Sequence, residues 1–147
     1  MHQIVLPSEV DGSGICFGGQ VLSWIDICAG MSAKTLARGP CVTAVVGAVH
    51  FLRPCRLGAV VIVAAMVHRT FTSSMEVGVR VEAEDMRTGQ RHHCCSAYLT
   101  FVALGRGQGP RDPPPPPSPQ RPCPPAAAGP PTPPDNPSHP LRLRPCP

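Results

Sequence analysis

The stretch GICFGGQVLSWIDICAG, residues 14–30, decides how this chain folds. Adjacent glycines, Gly18 and Gly19, precede apolar residues that recur every three or four positions, which is the spacing of one face of a helix. Gly39, followed directly by a proline, is a typical helix stop. The sequence therefore predicts one long amphipathic helix over residues 18–38.

The apolar spacing changes to every second residue after this helix, which is typical of strands. One of the later segments is almost continuously apolar, as expected of a strand that is covered on both faces. A single helix cannot cover both faces of five strands. We therefore expect an α+β fold in which a curved antiparallel sheet wraps the helix and leaves strand edges for a second copy. The predicted strands are 2–6, 41–51, 59–71, 74–85 and 91–104.

Proline divides the chain into two parts. All but three of the 21 prolines lie at or after Pro110, so we expect a folded domain over 1–104 and a disordered proline-rich tail over 105–147. The segment Pro116–Arg121 matches the P-x-x-P-x-R pattern that SH3 grooves accept, although such matches arise easily among so many prolines. The alternative interpretation is that the tail is an unselected extension without a role.

Composition narrows the class of protein. The net charge of +4 and six aromatic residues do not indicate a nucleic-acid binder. The longest apolar run, 57–67, is too short to cross a bilayer. The first residues do not resemble a secretory signal. We expect a cytoplasmic, reducing location, in which Cys16, Cys28, Cys41 and Cys55 are free thiols that pack as small apolar residues.

Asp26 is the only charged side chain between Gln20 and Lys34 in the predicted helix. A buried carboxylate is costly unless it is used, but Ser23, Asp26, Gly30 and Lys34 also fit an ordinary solvated stripe. The N–H groups at the start of a helix have no intrahelical partner, and a glycine lets a carbonyl approach them closely.

The spacing of these groups constrains any shared chemistry. Asp26 lies seven residues after Gly19, which is roughly 10 Å along a helix. One reacting carbonyl can hardly touch both groups of the same helix. If the two cooperate, they come from different protomers, and the site lies across a dimer interface.

Other reactive residues give weaker signals. On a regular strand His92 and Cys94 point to one face and His93 and Cys95 to the other, and no CxxC pair accompanies them, so we predict no metal site. The sequence contains no GxSxG nucleophile motif. His50 and His68 are expected on strands; taken alone, each is interpreted as an ordinary half-buried histidine.

Four segments carry a resemblance to a known family: LPSEVDGSGICFGGQVLSWID (6–26), VHFLRPCRLG (49–58), RTFTSSMEVGVRVEAED (69–85) and SAYLTFVAL (96–104). Together they resemble the hotdog-fold acyl-CoA thioesterases, and within these the cytosolic acyl-CoA hydrolase branch whose animal members carry two such domains in tandem. The resemblance implies hydrolysis of acyl-CoA to a free acid and CoA, without a cofactor. It also implies a homodimer in place of the tandem pair, with trimers of dimers as a further possibility.

The resemblance also implies roles for individual residues. Asp26 matches the catalytic carboxylate, which acts as general base or as nucleophile. Gly19, with Gly18 as a second candidate, matches the amide of the opposite subunit that polarises the thioester carbonyl. The candidates for binding the substrate's CoA moiety are Arg69, Ser73, Ser74, His50 and Arg53.

The chain departs from the family in two respects. The family's loop usually carries asparagine at the position of Asp11, and the first strand of this chain is short. A non-catalytic acyl-CoA-binding or assembly domain therefore stays open as an alternative. A hydratase or dehydratase is less favoured, because those relatives pair a carboxylate with a histidine and no such pair is evident near Asp26.

Overall fold

The computed structural model describes residues 1–105 and Pro110, so nearly all of the predicted tail, including its P-x-x-P-x-R match, lies outside the described residues. Within them, one 20-residue helix packs against one face of a five-stranded antiparallel sheet with the order β1-β3-β4-β5-β2. The predicted α+β fold is confirmed. Its elements are β1 (His2–Ile4), α1 (Gly18–Ala37), β2 (Cys41–Val46), β3 (Val60–Thr70), β4 (Ser74–Glu84) and β5 (Arg91–Ala103).

The helix begins and ends where glycine and backbone geometry require. It begins at Gly18 after Phe17, whose backbone is still extended. It ends at Ala37, one residue before the predicted end, because Arg38 adopts a left-handed conformation (φ 52°). The Arg38 N–H donates to the carbonyl of Lys34 at 2.9 Å, which satisfies one of the carbonyl groups at the helix end.

The core lies between α1 and the concave face of the sheet. Along β4 every second residue from Met75 to Ala83 is buried. Ile25, Ala29 and Ala33 on the helix are each 0% exposed. A small residue every fourth position lets the helix lie close to the sheet, and the period-two pattern of β4 places its valines beneath it.

Two predictions about strands are wrong. β2 ends at Val46 rather than at residue 51; the Gly47 N–H still donates to the Tyr98 carbonyl at 2.9 Å, and the chain passes so close to β5 that a Cβ on Gly47 would lie 2.7 Å from that oxygen. β3 is not covered on both faces, since the only α-helix of the described region packs on the concave side, and Met66 and His68 are exposed on the other. No helix in the described part of the chain is both long and apolar enough to cross a membrane.

Candidate active site

Asp26 faces the edge strand β2 from the middle of α1. Its side chain is half-buried, and Thr43 Oγ1 donates a hydrogen bond to Asp26 Oδ1 at 2.7 Å. Of the four residues in the solvated-stripe interpretation, Ser23 and Lys34 are exposed and Asp26 is half-buried, whereas Gly30 is buried and lies against the ring of Phe101. Asp26 is thus an accessible carboxylate held by one neutral donor, with capacity to accept a proton from a water or to attack a carbonyl carbon.

Thr43 is positioned by the pairing of β2 with β5. It is opposite Phe101, whose side chain points into the core, so Thr43 lies on the helix side of the sheet. The register shifts immediately afterwards, between Thr43 and Val45. The sequence analysis did not single out Thr43; its position two residues after the buried Cys41 was the available signal, because residues two apart on a strand share a face.

The first turn of α1 presents backbone N–H groups without a side-chain cap. Phe17 makes no capping hydrogen bond, and both Gly18 and Gly19 are exposed. A Cβ on Gly18 would make an ordinary 3.6 Å contact with the ring of Phe51, and a Cβ on Gly19 would meet nothing within 4 Å. Packing of this chain does not require either glycine. The surface is open for the close approach of a polar oxygen.

A cleft of about 240 Å³ opens beside this turn. Its lining includes Arg53, which the sequence analysis proposed as a binding residue, and Phe51, while His50 is exposed on the same connection. His50 therefore lies outside the strands and is exposed, whereas the sequence pattern predicted a half-buried histidine on a strand. The cleft is lined by Ile15, Cys16, Gly18, Val21, Phe51, Leu52, Arg53, Pro54 and Cys55.

Arg69, Ser73 and Ser74 lie elsewhere, at the turn from β3 to β4. Arg69 is exposed and the two serines are half-buried. Ser74 is opposite Val102 of β5, which is in turn opposite Val42 of β2. Two strand spacings, about 10 Å, therefore separate this turn from the β2 edge. The structure places the three residues together but not beside Arg53 and Gly18 of the same chain.

The Asp11 carboxylate accepts hydrogen bonds from residues of its own loop. Its Oδ1 accepts hydrogen bonds from the Ser13 hydroxyl at 2.6 Å, the Ser13 N–H at 2.9 Å and the Ile15 N–H at 3.1 Å. These bonds, first that of the Ser13 hydroxyl, lower the pKa of Asp11. The loop that leads into the helix therefore carries a fixed negative charge near neutral pH.

The His–His–Cys–Cys run is folded differently from the prediction. A β-bulge at Cys94 interrupts the alternation, since Val81 is opposite Cys95 and Glu82 is opposite His93. Both cysteines are consequently buried on the core side. No group of three or more histidine, cysteine or acidic side chains suited to a metal ion occurs in the described segments.

His68 is also more exposed than predicted. Its ring lies over Gly78, where an added Cβ would be 2.4 Å from His68 Nε2, and meets the ring of Tyr98 edge-on with centroids 5.6 Å apart. It lies on the outer face of the sheet, away from Asp26.

Comparison with known proteins agrees with this fold. The family model "Thioesterase superfamily" matches residues 13–90. Mouse acyl-coenzyme A thioesterase 11 is 43% identical over 103 residues, which are 70% of this chain and 17% of that protein. Escherichia coli acyl-CoA thioester hydrolase YciA is 30% identical over 117 residues, 78% of this chain and 89% of that protein.

Solved structures are similar over the same region. An acyl-CoA hydrolase from Bacillus cereus superposes with a TM-score of 0.76 at 34% identity, over 78% of this chain and 70% of that one. An apo-hexameric acyl-CoA thioesterase gives a TM-score of 0.76 at 33% identity, over 78% and 74%. The chain belongs to the thioesterase superfamily, whose members share the hotdog fold. It spans about a fifth of the length of the mammalian relatives it matches.

Proposed function

We propose that this chain is an acyl-CoA thioester hydrolase, which converts acyl-CoA and water to a free acid and CoA. The observation that carries the proposal is the pair formed by Asp26 and Thr43, a half-buried carboxylate oriented by a neutral hydroxyl on a strand edge. The resemblance to proteins named as acyl-CoA thioesterases supplies the substrate class.

Hydrolysis of a thioester needs a base or nucleophile and a stabiliser for the carbonyl oxygen. Asp26 removes a proton from water as the water oxygen adds to the carbonyl carbon, or attacks that carbon itself. The Gly19 N–H, with Gly18 as the second candidate, donates to the oxygen as it becomes negative. The C–S bond then breaks, and the CoA thiolate takes up a proton. Where Asp26 is the nucleophile, water then hydrolyses the mixed anhydride, which releases the free acid and restores the carboxylate. Thr43 holds one carboxylate oxygen and leaves the other for the reaction.

The site is completed by a second copy of the chain. Asp26 and Gly19 are roughly 10 Å apart along one helix, too far for both to reach one carbonyl. β2 ends the sheet, and Val42, Val45 and Val46 along it are 46–56% exposed. Edge-to-edge pairing of two β2 strands would cover these valines and bring a second helix to the site. Similar solved proteins are hexamers, so trimers of such dimers belong to the proposal.

CoA is anionic, so its path is expected to carry positive charge. Arg53 lines the cleft beside Gly18 and His50 is exposed nearby, whereas Arg69, Ser73 and Ser74 form a second polar group at the β3–β4 turn. That turn lies about 10 Å from the β2 edge of its own chain. We therefore assign Arg69, Ser73 and Ser74 to the CoA path of the site that forms where two subunits meet. Five cysteines of the described region, Cys16, Cys28, Cys55, Cys94 and Cys95, are buried free thiols, which fits a reducing, cytoplasmic location.

The test is release of CoA thiol from a panel of acyl-CoAs by the full chain, compared with Asp26→Asn. General acid–base catalysis contributes about 10²- to 10⁴-fold, so the variant should lose that much of kcat while CoA binding stays within twofold. Asp85→Asn is the matched control: Asp85 caps the β4–β5 hairpin loop, and turnover should be unchanged. Equal kcat for Asp26→Asn and the parent would refute the assignment.

A non-catalytic acyl-CoA-binding domain is the second candidate. It is favoured by the fixed negative charge of Asp11 in the loop before the helix and by the three-residue β1. In the same assay it predicts no thiol release by the parent chain with any acyl-CoA, together with saturable acyl-CoA binding to a folded dimer.

A further inference from the structure

The β-bulge in β5 brings two thiols together. Cys94 is the extra residue of the bulge, and its side chain is 0% exposed. A regular strand would have sent Cys94 and Cys95 to opposite faces, but here both point into the core. Cys94 thereby reaches the connection between β2 and β3, where Cys55 is 4% exposed.

Cys55 and Cys94 are direct neighbours across 39 residues of sequence. The Cys55 thiol donates to Cys94 Sγ, with the sulfurs 3.4 Å apart. The two backbones are also held together, because the Leu52 N–H donates to the carbonyl of Cys94 at 2.8 Å and the Cys16 N–H to the carbonyl of Cys55 at 2.9 Å. A disulfide requires each sulfur to move by only about 0.7 Å, a displacement that small side-chain rotations supply.

The pair is reachable from the cleft. Cys55 contributes to its lining, next to Arg53 and Phe51, whereas Cys94 lies behind it and contributes nothing to the lining. Near-complete burial of both sulfurs excludes bulky disulfides such as that of glutathione. A small hydroperoxide is the class of oxidant that can enter.

We propose that Cys55 and Cys94 are a redox modification site, a dithiol that hydrogen peroxide converts to a disulfide between the cleft wall and β5. The Cys94 sulfur attacks one peroxide oxygen: an S–O bond forms, the O–O bond breaks, and the Cys94 proton leaves with the departing hydroxide as water. The Cys55 sulfur then attacks the sulfenic sulfur of Cys94: the S–S bond forms, the S–O bond breaks, and the Cys55 proton leaves with the hydroxide as a second water. Two thiols are oxidised and one peroxide is reduced.

The hydrogen bond within the reduced pair supports the first step. The S–H donated by Cys55 lowers the pKa of Cys94, which favours the thiolate that attacks the peroxide. The same contact, together with burial, raises the pKa of Cys55. Cys95, directly beside the pair, has its pKa raised by burial to about 11, so it is a poorer nucleophile near neutral pH.

The test is peptide mapping by mass spectrometry of the full chain after treatment with hydrogen peroxide, with and without later reduction. We expect a Cys55–Cys94 cross-linked peptide pair, lighter by two hydrogen atoms than the separate peptides and lost on reduction. The Cys55→Ala variant should lose the cross-link. Cys28→Ala should keep it, because the buried Cys28 thiol donates to the Val63 carbonyl rather than to another thiol.

The mapping does not require enzymatic activity, so its result is independent of the proposed function. Cross-links from Cys94 to Cys16 or Cys95, or only sulfinic and sulfonic acids at Cys55, would overturn the assignment. If either variant misfolds, the parent chain alone decides, through the identity of the linked peptides.

Discussion

β4 and β2 are both valine-rich strands of one sheet, yet they differ in what their side chains touch. In β4 every second residue is buried, and Met75, Val77 and Val81 are each 0% exposed. In β2 only Cys41 is buried, and the next five residues are exposed on both faces. β4 lies in the centre of the sheet, and β2 lies at its edge.

The difference separates the apolar residues that stabilise the protomer from those that are left exposed at the sheet edge. β4 has partners on both sides and α1 above it, so its valines stabilise the protomer. The valines of β2 contribute little to that core. Exposed apolar side chains on a free sheet edge are an aggregation hazard unless another strand covers them. That edge also carries Thr43, the partner of Asp26, so this largely exposed strand belongs to the proposed site.

The largest expected effect is on stability at the sheet centre. Met75→Ala removes a buried side chain of β4 and should lower the free energy of unfolding by about 2–5 kcal/mol, measured by urea denaturation. Met66→Ala on β3 is the matched control, because Met66 is 48% exposed on the outer face. Its cost should stay within about 0.5 kcal/mol. Equal losses would show that the two faces do not differ as described.

The next largest effect is expected on kcat, at the backbone amide that we propose polarises the thioester carbonyl. Gly19→Pro removes one N–H that the helix does not use and should lower kcat by about 10²- to 10³-fold. Gly18→Pro, one residue earlier, is the control that identifies which amide acts. Circular dichroism should show unchanged helix content for both, because proline is tolerated in the first turn.

Mixing two inactive variants then tests whether the site crosses the interface. A one-to-one mixture of Gly19→Pro and Asp26→Asn, unfolded and refolded together, should regain about a quarter of parental activity, because half of the dimers are mixed and each has one intact site of two. Activity that stays at the level of the separate variants would place both groups in one chain.

Much of this architecture follows from sequence periodicity, but the site depends on register. The helix and the five strands were predictable because apolar residues recur with a period of about 3.6 in helices and of two in strands. Thr43 was missed because its contact with Asp26 requires β2 to be paired with β5 in one particular register. The predicted side-chain direction of Cys94 was wrong because a bulge adds one residue to a strand, and the spacing of apolar residues in the sequence does not reveal it.

The end of β2 was missed for a related reason. Gly47 looked like an ordinary strand residue, and its close approach to Tyr98 depends on the pairing of β2 with β5 rather than on the local pattern. The candidate binding residues were predicted by resemblance alone. Periodicity could not say that Arg53 lies beside Gly18 whereas Arg69 lies at a different turn.

A smaller effect is expected from charge on the edge. Val45→Lys should weaken the dimer by more than about tenfold, because a lysine on an edge strand opposes strand pairing. Sedimentation across a range of protein concentrations measures this shift, and activity should fall in proportion to the dimer. Met66→Lys places the same charge on the outer face of β3 and should leave dimerisation unchanged. A dimer that tolerates Val45→Lys must use another surface.

The smallest effect is at Thr43. Thr43→Val keeps the shape of the side chain and removes the hydroxyl that donates to Asp26. One hydrogen bond to a charged group is worth about 1.5–3 kcal/mol when fully used, so kcat should fall by roughly tenfold while the KM for acyl-CoA stays within twofold. Thr100→Val, on the opposite face of β5, should change neither value. Because the hydroxyl acts only by orienting the carboxylate, Thr43→Ser should restore most of the loss. A variant that changes KM and leaves kcat intact would instead make Thr43 a substrate-binding residue and leave Asp26 without an orienting partner on β2.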